Sequence, residues 1–321
     1  GDAFMGEFNT TPQEYLFGFR GRMDERYDLV RSVRDQRYLY IKNYMPHKKY
    51  GQYLNYMFQT PTTQIWKKMY DAGELKPPQT YFWETKPAEE LYDLQTDRDE
   101  VNNLADSAEH QKILEELKQA QHKKILAIRD LGFLPEAEFH SLAEGKAPYL
   151  IGQNKDLYPL KQILKMADLA SSGKPSGVDQ LIKGLSNQNS GICYWAAMGL
   201  LMRGEKAVAQ AQEPLQQALE DPSKSVRCIA AEALGKYGDQ QDVENAVDTL
   251  VSLSNLNQDG VYVAMLALNG LDKLGSQKVA WVQDQIARLP LKNDQLDRRL
   301  QSYVGRLVER LQEQQDQAAE K

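Results

Sequence analysis

LQQALEDPSKSVRCIAAEALGKYG, residues 215–238, reads as a helix, a turn and a second helix. Asp221, Pro222, Val226 and Arg227 surround the turn, and the second helix is rich in alanine, whose small side chain lets neighbouring helices approach closely. The unit recurs. YWAAMGLLMRG ends at Gly204, CIAAEALGKYG at Gly238 and MLALNGLDKLG at Gly275, so the copies lie 34 and 37 residues apart. An amphipathic helix precedes each, with Leu181, Leu215 and Leu250 in register at offsets of 34 and 35. A period of this length means a helix pair that cannot bury its apolar face alone, so the copies must stack into a solenoid. A helix over Asp294 to Leu311, with Leu296, Leu300, Val304, Leu307 and Leu311 on one side, is expected to cap the stack. The glutamine-rich segment after it is expected to fray.

Upstream the pattern changes. ELYDLQTDRDEVNNLA, residues 90–105, couples a short strand to a turn and a helix; Leu91, Leu94, Val101 and Leu104 anchor it, and Asp97, Arg98, Asp99, Asn102 and Asn103 supply turn chemistry. PQEYLFGFR at 12–20 and QRYLYIKNY at 36–44 alternate with period two and read as strands, the first with its aromatic face inward. Between them, GRMDERYDLVRSVRD at 21–35 is dense in both charge signs. It reads either as a solvated connection with interspersed ion pairs or as the polar rim of a binding cleft, its arginines presenting forked donors to an anion. A proline-marked stretch from 59 to 88 accommodates a short helix around Trp66 to Tyr70 and an edge strand at TYFWETK, 80–86. The next helix carries Leu114, Leu117, Gln121, Ile125 and Ile128 at helical spacing, opened by an Asp106–Glu109 capping box and stopped by Gly132. A helix at Leu160 to Ala170 and a loop, SSGKPSG, at 171–177 lead into the repeats. The expected fold is thus an α+β subdomain over residues 1–150, a small antiparallel sheet with a long packed helix, followed by an all-α helical-repeat solenoid over 151–321.

Composition excludes some classes. With 41% hydrophobic and 26% charged residues the chain can bury a core, and no apolar run approaches the roughly 20 residues that span a bilayer. A formal net charge of -6 argues against a dedicated nucleic-acid binder. The chain opens on Gly1 without a signal-peptide pattern, and the expectation is that it is processed or cut from something longer. Eight of the 17 tyrosines fall in the first 58 residues, an amphipathic aromatic surface that can stack on sugars or simply cover a sheet.

Chemistry is scarce. His47, His110, His122 and His140 show no metal-ligand spacing, and GxGxxG, GxxxxGK and GxSxG motifs are absent. Cys193 and Cys228 occupy near-equivalent positions in adjacent repeats and read as small buried residues rather than a disulfide or a nucleophile. Arg227 reads as a brace between successive turns, with an anionic partner as the alternative.

Two resemblances add to this. The 215–238 unit resembles a HEAT repeat. GRMDERYDLVRSVRDQRYLYIKNYMP at 21–46 and AEELYDLQTDRDEVNNLA at 88–105 resemble the C-terminal part of sulfatases, in particular the bacterial branch related to heparan N-sulfatase, and 143–170 is similar to a linker before a HEAT-like extension. This implies the C-terminal part of an alkaline-phosphatase-type enzyme acting on sulfate esters or N-sulfates of sulfated glycans, non-catalytic by itself. The resemblance implies an N-terminal catalytic domain as partner, holding a calcium and a formylglycine made in a C/S-x-P-x-R motif, and a periplasmic or secreted bacterial location. Neither cysteine stands in such a motif, and no serine stands in SxPxR. Arg22, Asp24 and Glu25 are the residues expected at the substrate rim. The alternative is a non-enzymatic scaffold whose repeats are the working surface and bind a protein partner.

Overall fold

The computed structural model describes residue 3 and residues 5–319. Four strands, β1 (Leu16–Arg20), β2 (Val30–Arg34), β3 (Tyr38–Asn43) and β4 (Glu89–Asp93), form one antiparallel sheet in the order β1-β2-β3-β4. The β2–β3 hairpin turns at Asp35, whose carboxylate accepts from the backbone N–H of Arg37 (2.7 Å) and Tyr38 (2.6 Å). Helix α1 (Pro61–Asp71) follows, and α2 (Gln111–Ile128) lies across one sheet face, where Val33, Tyr40 and Leu91 pack with Leu114 and Leu117.

The 90–105 stretch closes this layer as its side chains imply. Asn103 Oδ1 accepts from Leu91 N (2.9 Å) and Ala105 N (3.0 Å) while its amide donates to Glu89 O (3.0 Å), clipping the returning chain to β4. Asp97 accepts from Val101 N (3.0 Å) and Asn102 N (2.8 Å). At the end of β4, Arg37 forks onto Asp93 at 3.0 and 2.6 Å; those hydrogen bonds hold the Asp93 carboxyl down at about 2.

Several expectations are corrected. The charged stretch 21–35 contains β2, with Leu29 and Val33 fully buried, because its ions find partners elsewhere in the fold rather than in water. TYFWETK is no strand: a single 3-10 turn at Tyr81–Trp83 buries Trp83 under Trp66 and Phe82, and one isolated bridge joins Thr85 to Lys49. Asp106 does not cap α2, which begins after a 3-10 turn at Ala108–His110; it stops at Arg129 in the left-handed conformation (φ 51°), not at Gly132. On β1 the aromatic side chains face the α2 side yet stay open, Phe17 38% and Phe19 85% exposed, because β1 lies at the sheet edge.

Past α3 (Glu136–Ala143) and α4 (Leu160–Ser171), the repeats fold as paired helices: α5 (Val178–Leu185) with α6 (Ser190–Arg203), α7 (Gln212–Ala218) with α8 (Lys224–Tyr237), and α9 (Gln240–Leu253) with α10 (Val261–Leu274). Leu181, Leu215 and Leu250 are all fully buried. Local caps define the starts: Asn189 accepts from Gly191 N and Ile192 N, Ser223 from Val226 N, and Asp239 with Asp242 forms a capping box. The final helix α11 (Arg298–Ala319) starts four residues later than expected and continues through the glutamine-rich segment rather than fraying after Leu311. Glu320 and Lys321 lie outside the described residues.

Helix α6 is buried all round from Gly191 to Leu201, as an interior helix must be. Gly199 permits this: a Cβ there would lie 2.6 Å from Leu181 Cδ2 and 3.0 Å from the Ala170 backbone. Alanine would gain up to about 1 kcal/mol of helix propensity, but overpacking costs about 1–3 kcal/mol and backbone cannot step aside. Gly199→Ala is therefore expected to lower unfolding stability by about 1 kcal/mol in urea titration; an increase would show that the contact relaxes.

The sheet and the solenoid share one core. Leu29, Tyr44, Met45, Ile125 and Phe133 pack in the same cluster as Trp195, Met198 and the repeat leucines. Trp195, fully buried, donates Nε1–H to Phe133 O at 2.8 Å. Within the sheet part Lys86 pairs with Asp28 and Arg31 forks onto Asp130 (2.6 and 3.0 Å), while Arg26 crosses to the solenoid, donating to Tyr53 O (2.8 Å), Asn269 Oδ1 (2.6 Å) and Asp272 Oδ2 (2.7 Å).

Candidate functional site

The β1–β2 connection carries Arg22, Asp24 and Glu25. A tight turn forms it, with Met23 N–H donating to Arg26 O (2.7 Å) and Arg26 N–H to Met23 O (2.9 Å). Asp24 occupies the left-handed region (φ 46°), a conformation that aspartate tolerates better than most residues. The turn projects Arg22 and Asp24 into a cavity of about 700 Å³ that Tyr56, Arg299, Leu300 and Tyr303 also line.

All three predicted residues are tied to the protein. Arg22 forks onto Glu136, donates Nη1–H to Asp24 O at 2.7 Å, and lies over the rings of Tyr262 (5.7 Å) and Tyr303 (5.4 Å). Burial alone would lower its pKa, but the hydrogen bond and charge of Glu136 outweigh that and raise it. The Asp24 carboxylate accepts from Tyr303 Oη (2.8 Å) and Arg299 Nη2 (3.2 Å); these bonds overcome the opposing effect of burial and hold it below the usual carboxylate range. Glu25, 2% exposed, takes the Asn55 N–H at 2.6 Å and faces Arg306 at 3.6 Å, behind the cavity wall. The arrangement brings Arg22 and Asp24 together at the surface and sets Glu25 in the layer behind them. Arg299, 77% exposed at its side chain, is the more open of the two arginines that line the cavity. Sequence reasoning missed Arg299, Tyr303 and Glu136, since Asp24 and Tyr303 are 279 positions apart and no local pattern joins them.

Reactive groups are not assembled at this site. Among the described residues no group of three or more His, Cys, Asp or Glu is placed to hold a metal ion. Cys193 and Cys228 are free and about 1% exposed; burial pushes the Cys193 thiol up to about 11 and Cys228 higher still, away from thiolate chemistry. These residues do not fit a calcium site or a formylglycine precursor, so no catalytic step is derived from them. Arg227 is half-buried in α8, its Nε without a hydrogen-bond partner among the described residues. Among the described residues no helix is long and apolar enough to cross a membrane.

Comparison with known proteins matches both halves of the composite reading in part. The family model for HEAT repeats covers residues 178–269, which are the helix pairs from α5 to most of α10. Over 139 residues the chain is 36% identical to an ulvan-active sulfatase of Formosa agariphila, a match that takes in 43% of this chain and 23% of that protein. The chain therefore carries HEAT repeats and a stretch similar to part of a sulfatase, and it spans less than a quarter of that relative's length.

Proposed function

We propose that this chain is the C-terminal, non-catalytic part of a sulfatase acting on sulfate esters or N-sulfates of sulfated glycans, and that the Arg22–Asp24–Glu25 turn lines one side of its substrate cleft. The 36% identity to an ulvan-active sulfatase carries the reading. In this proposal residues 1–150 form the sulfatase subdomain and 151–321 the repeat extension; the partner is an N-terminal catalytic domain supplying calcium and formylglycine, in a periplasmic or secreted enzyme. Residues of this chain then bind and orient. Arg299 offers forked donors to sulfate oxygens, and Arg22, pinned by Glu136 and stacked on two tyrosines, keeps a fixed positive charge at the cavity wall.

The test uses the full reading frame. Sulfate release from a sulfated oligosaccharide is measured for the wild type, Arg22→Ala and Arg299→Ala. Both variants are expected to raise KM about tenfold with kcat little changed, the signature of lost uniform binding. Arg299 is exposed enough to be replaced without unfolding the protein, so an unchanged KM in that variant removes this cavity from the cleft. Should the reading frame lack C/S-x-P-x-R and release no sulfate, the scaffold reading takes over, which the HEAT match over 178–269 favours.

A further inference from the structure

Strand β1 lies at the edge of the sheet, and the direction of its free hydrogen-bonding groups follows from its neighbours. Asp35 N–H donates to Tyr38 O (3.1 Å) at one end of the β2–β3 ladder, and Tyr44 N–H donates to Leu29 O (2.9 Å) at the other. Bonded pairs alternate along an antiparallel ladder, so Arg31 and Val33 bond β3 and leave Val30, Ser32 and Arg34 to bond β1. Their partners there are Arg20, Gly18 and Leu16. Phe17 and Phe19 therefore turn both N–H and C=O outward, where no strand among the described residues pairs with them. Such an edge is normally guarded by lysine, proline or a bulge. Here it carries Leu16, 59% exposed, and the two open phenylalanines, which with Ile128 of α2 (54% exposed) also line a cavity of about 330 Å³.

The edge is complementary to itself. Two copies of β1 can pair antiparallel about a twofold axis, which uses up both open edges and closes the assembly. With Phe17 set against Phe17 of the second copy, their outward N–H and C=O groups form a bonded pair, and Phe19 meets Tyr15 of the second copy. Tyr15 lies on the α2 face, where its hydroxyl donates to Glu116 (3.3 Å), so that face gains an unbroken cross-strand row of aromatic rings. On the other face Leu16 meets Gly18, large against small, and the exposed Glu14 meets Arg20. Arg20, 36% exposed at its side chain, can take Glu14 because Asp28, 3.9 Å away, is already held by Lys86. Centring the pair on Gly18 instead would set Leu16 against Arg20, and Glu14 against Arg22, which Glu136 already holds. We propose that β1 is a dimerisation edge, to which a second copy of this chain adds its own β1 with Phe17 on the twofold axis, joining two four-stranded sheets into one. This interface does not depend on the sulfatase reading.

The experiment is sedimentation velocity across a micromolar dilution series of the protein expressed from the full reading frame, which should show a dimer that dissociates on dilution. Phe17→Pro removes an outward N–H and no β1–β2 hydrogen bond, so the fold tolerates it while the dimer Kd is expected to rise about hundredfold. Glu14→Arg sets like charges against each other at both ends of the pair and should raise Kd about tenfold. Adding Arg20→Glu to Glu14→Arg exchanges the signs and should return Kd to near the wild-type value, a rescue that only this register gives. The thermal midpoint of each variant verifies folding, and the charge exchange decides the matter should Phe17→Pro unfold. A monomer at every concentration overturns the proposal; if its Phe17 and Phe19 amides are protected from hydrogen exchange, the edge is covered by a strand of the same molecule instead. A dimer indifferent to Phe17→Pro and Glu14→Arg, or one that the double substitution fails to restore, also overturns it. Dimer mass is read apart from sulfate release, so the two proposals can fail independently.

Discussion

Arg26→Ala is expected to lower the unfolding free energy by about 3–5 kcal/mol, the range for breaking a buried pair and leaving one charge behind. Arg26 is 1% exposed, and its guanidinium links the β1–β2 turn to Tyr53 O, Asn269 and Asp272 on α10. Removing it strands Asp272, whose side chain is 8% exposed. Urea denaturation of Arg26→Ala, Asp272→Asn and the double variant separates the terms. The double variant should lose clearly less than the sum of the singles, because once the carboxylate is gone the arginine has less to neutralise; additivity would show that the pair is not coupled.

The same pair has a pH signature. Burial alone would raise the Asp272 pKa, but Arg26, followed by Lys273, outweighs it and holds the group below its ordinary 3.8. A carboxyl with a depressed folded-state pKa adds stability that is present above the unfolded value and lost as pH falls through the folded one. Wild-type stability should therefore fall below about pH 4 more steeply than that of Arg26→Ala, measured as the urea midpoint between about pH 5 and about pH 2. Equal slopes would remove Asp272 as a contributor.

The second large effect is expected at Trp195. Its ring meets Tyr44 at 6.1 Å, Phe133 at 6.4 Å and Tyr194 at 5.6 Å, and its indole satisfies Phe133 O. Trp195→Ala should cost about 3–5 kcal/mol from lost burial and cavity, with the orphaned carbonyl adding to it. Since the side chain bridges α6 to the chain after β3 and to Phe133, the sheet and the solenoid should unfold together. Far-ultraviolet and near-ultraviolet circular dichroism of the wild type should give coincident thermal transitions, and Trp195→Ala should move both downward. Two separate transitions, with only one shifted, would mean that the shared core does not couple the layers.

The solenoid was legible because its signals are local and repeated. The leucines at 181, 215 and 250 and the alanine-rich second helices report a period that no other fold class produces, and Asn189 and Ser223 close their helix starts with their own side chains. The turn at 90–105 was legible for the same reason, since Asp97 and Asn103 bond within a dozen or so residues of themselves. Strand β2 was obscured by its charges. Asp28 and Arg31 look solvated in a linear string, yet Lys86 and Asp130 meet them across the fold.

The candidate site followed the same division. Residue type pointed to Arg22, Asp24 and Glu25, while their surroundings come from Glu136, Arg299, Tyr303 and Arg306, contributed by helices far along the chain. By itself the sequence determined the two-part architecture, the repeat period and the turn chemistry, because each rests on spacing and side-chain bonding within one segment. Tertiary structure decided which charges are buried and that one core runs through sheet and solenoid. Those outcomes depend on which distant groups a side chain meets after packing, and hydrogen bonding and desolvation at such meetings are properties of the assembled neighbours rather than of any one stretch.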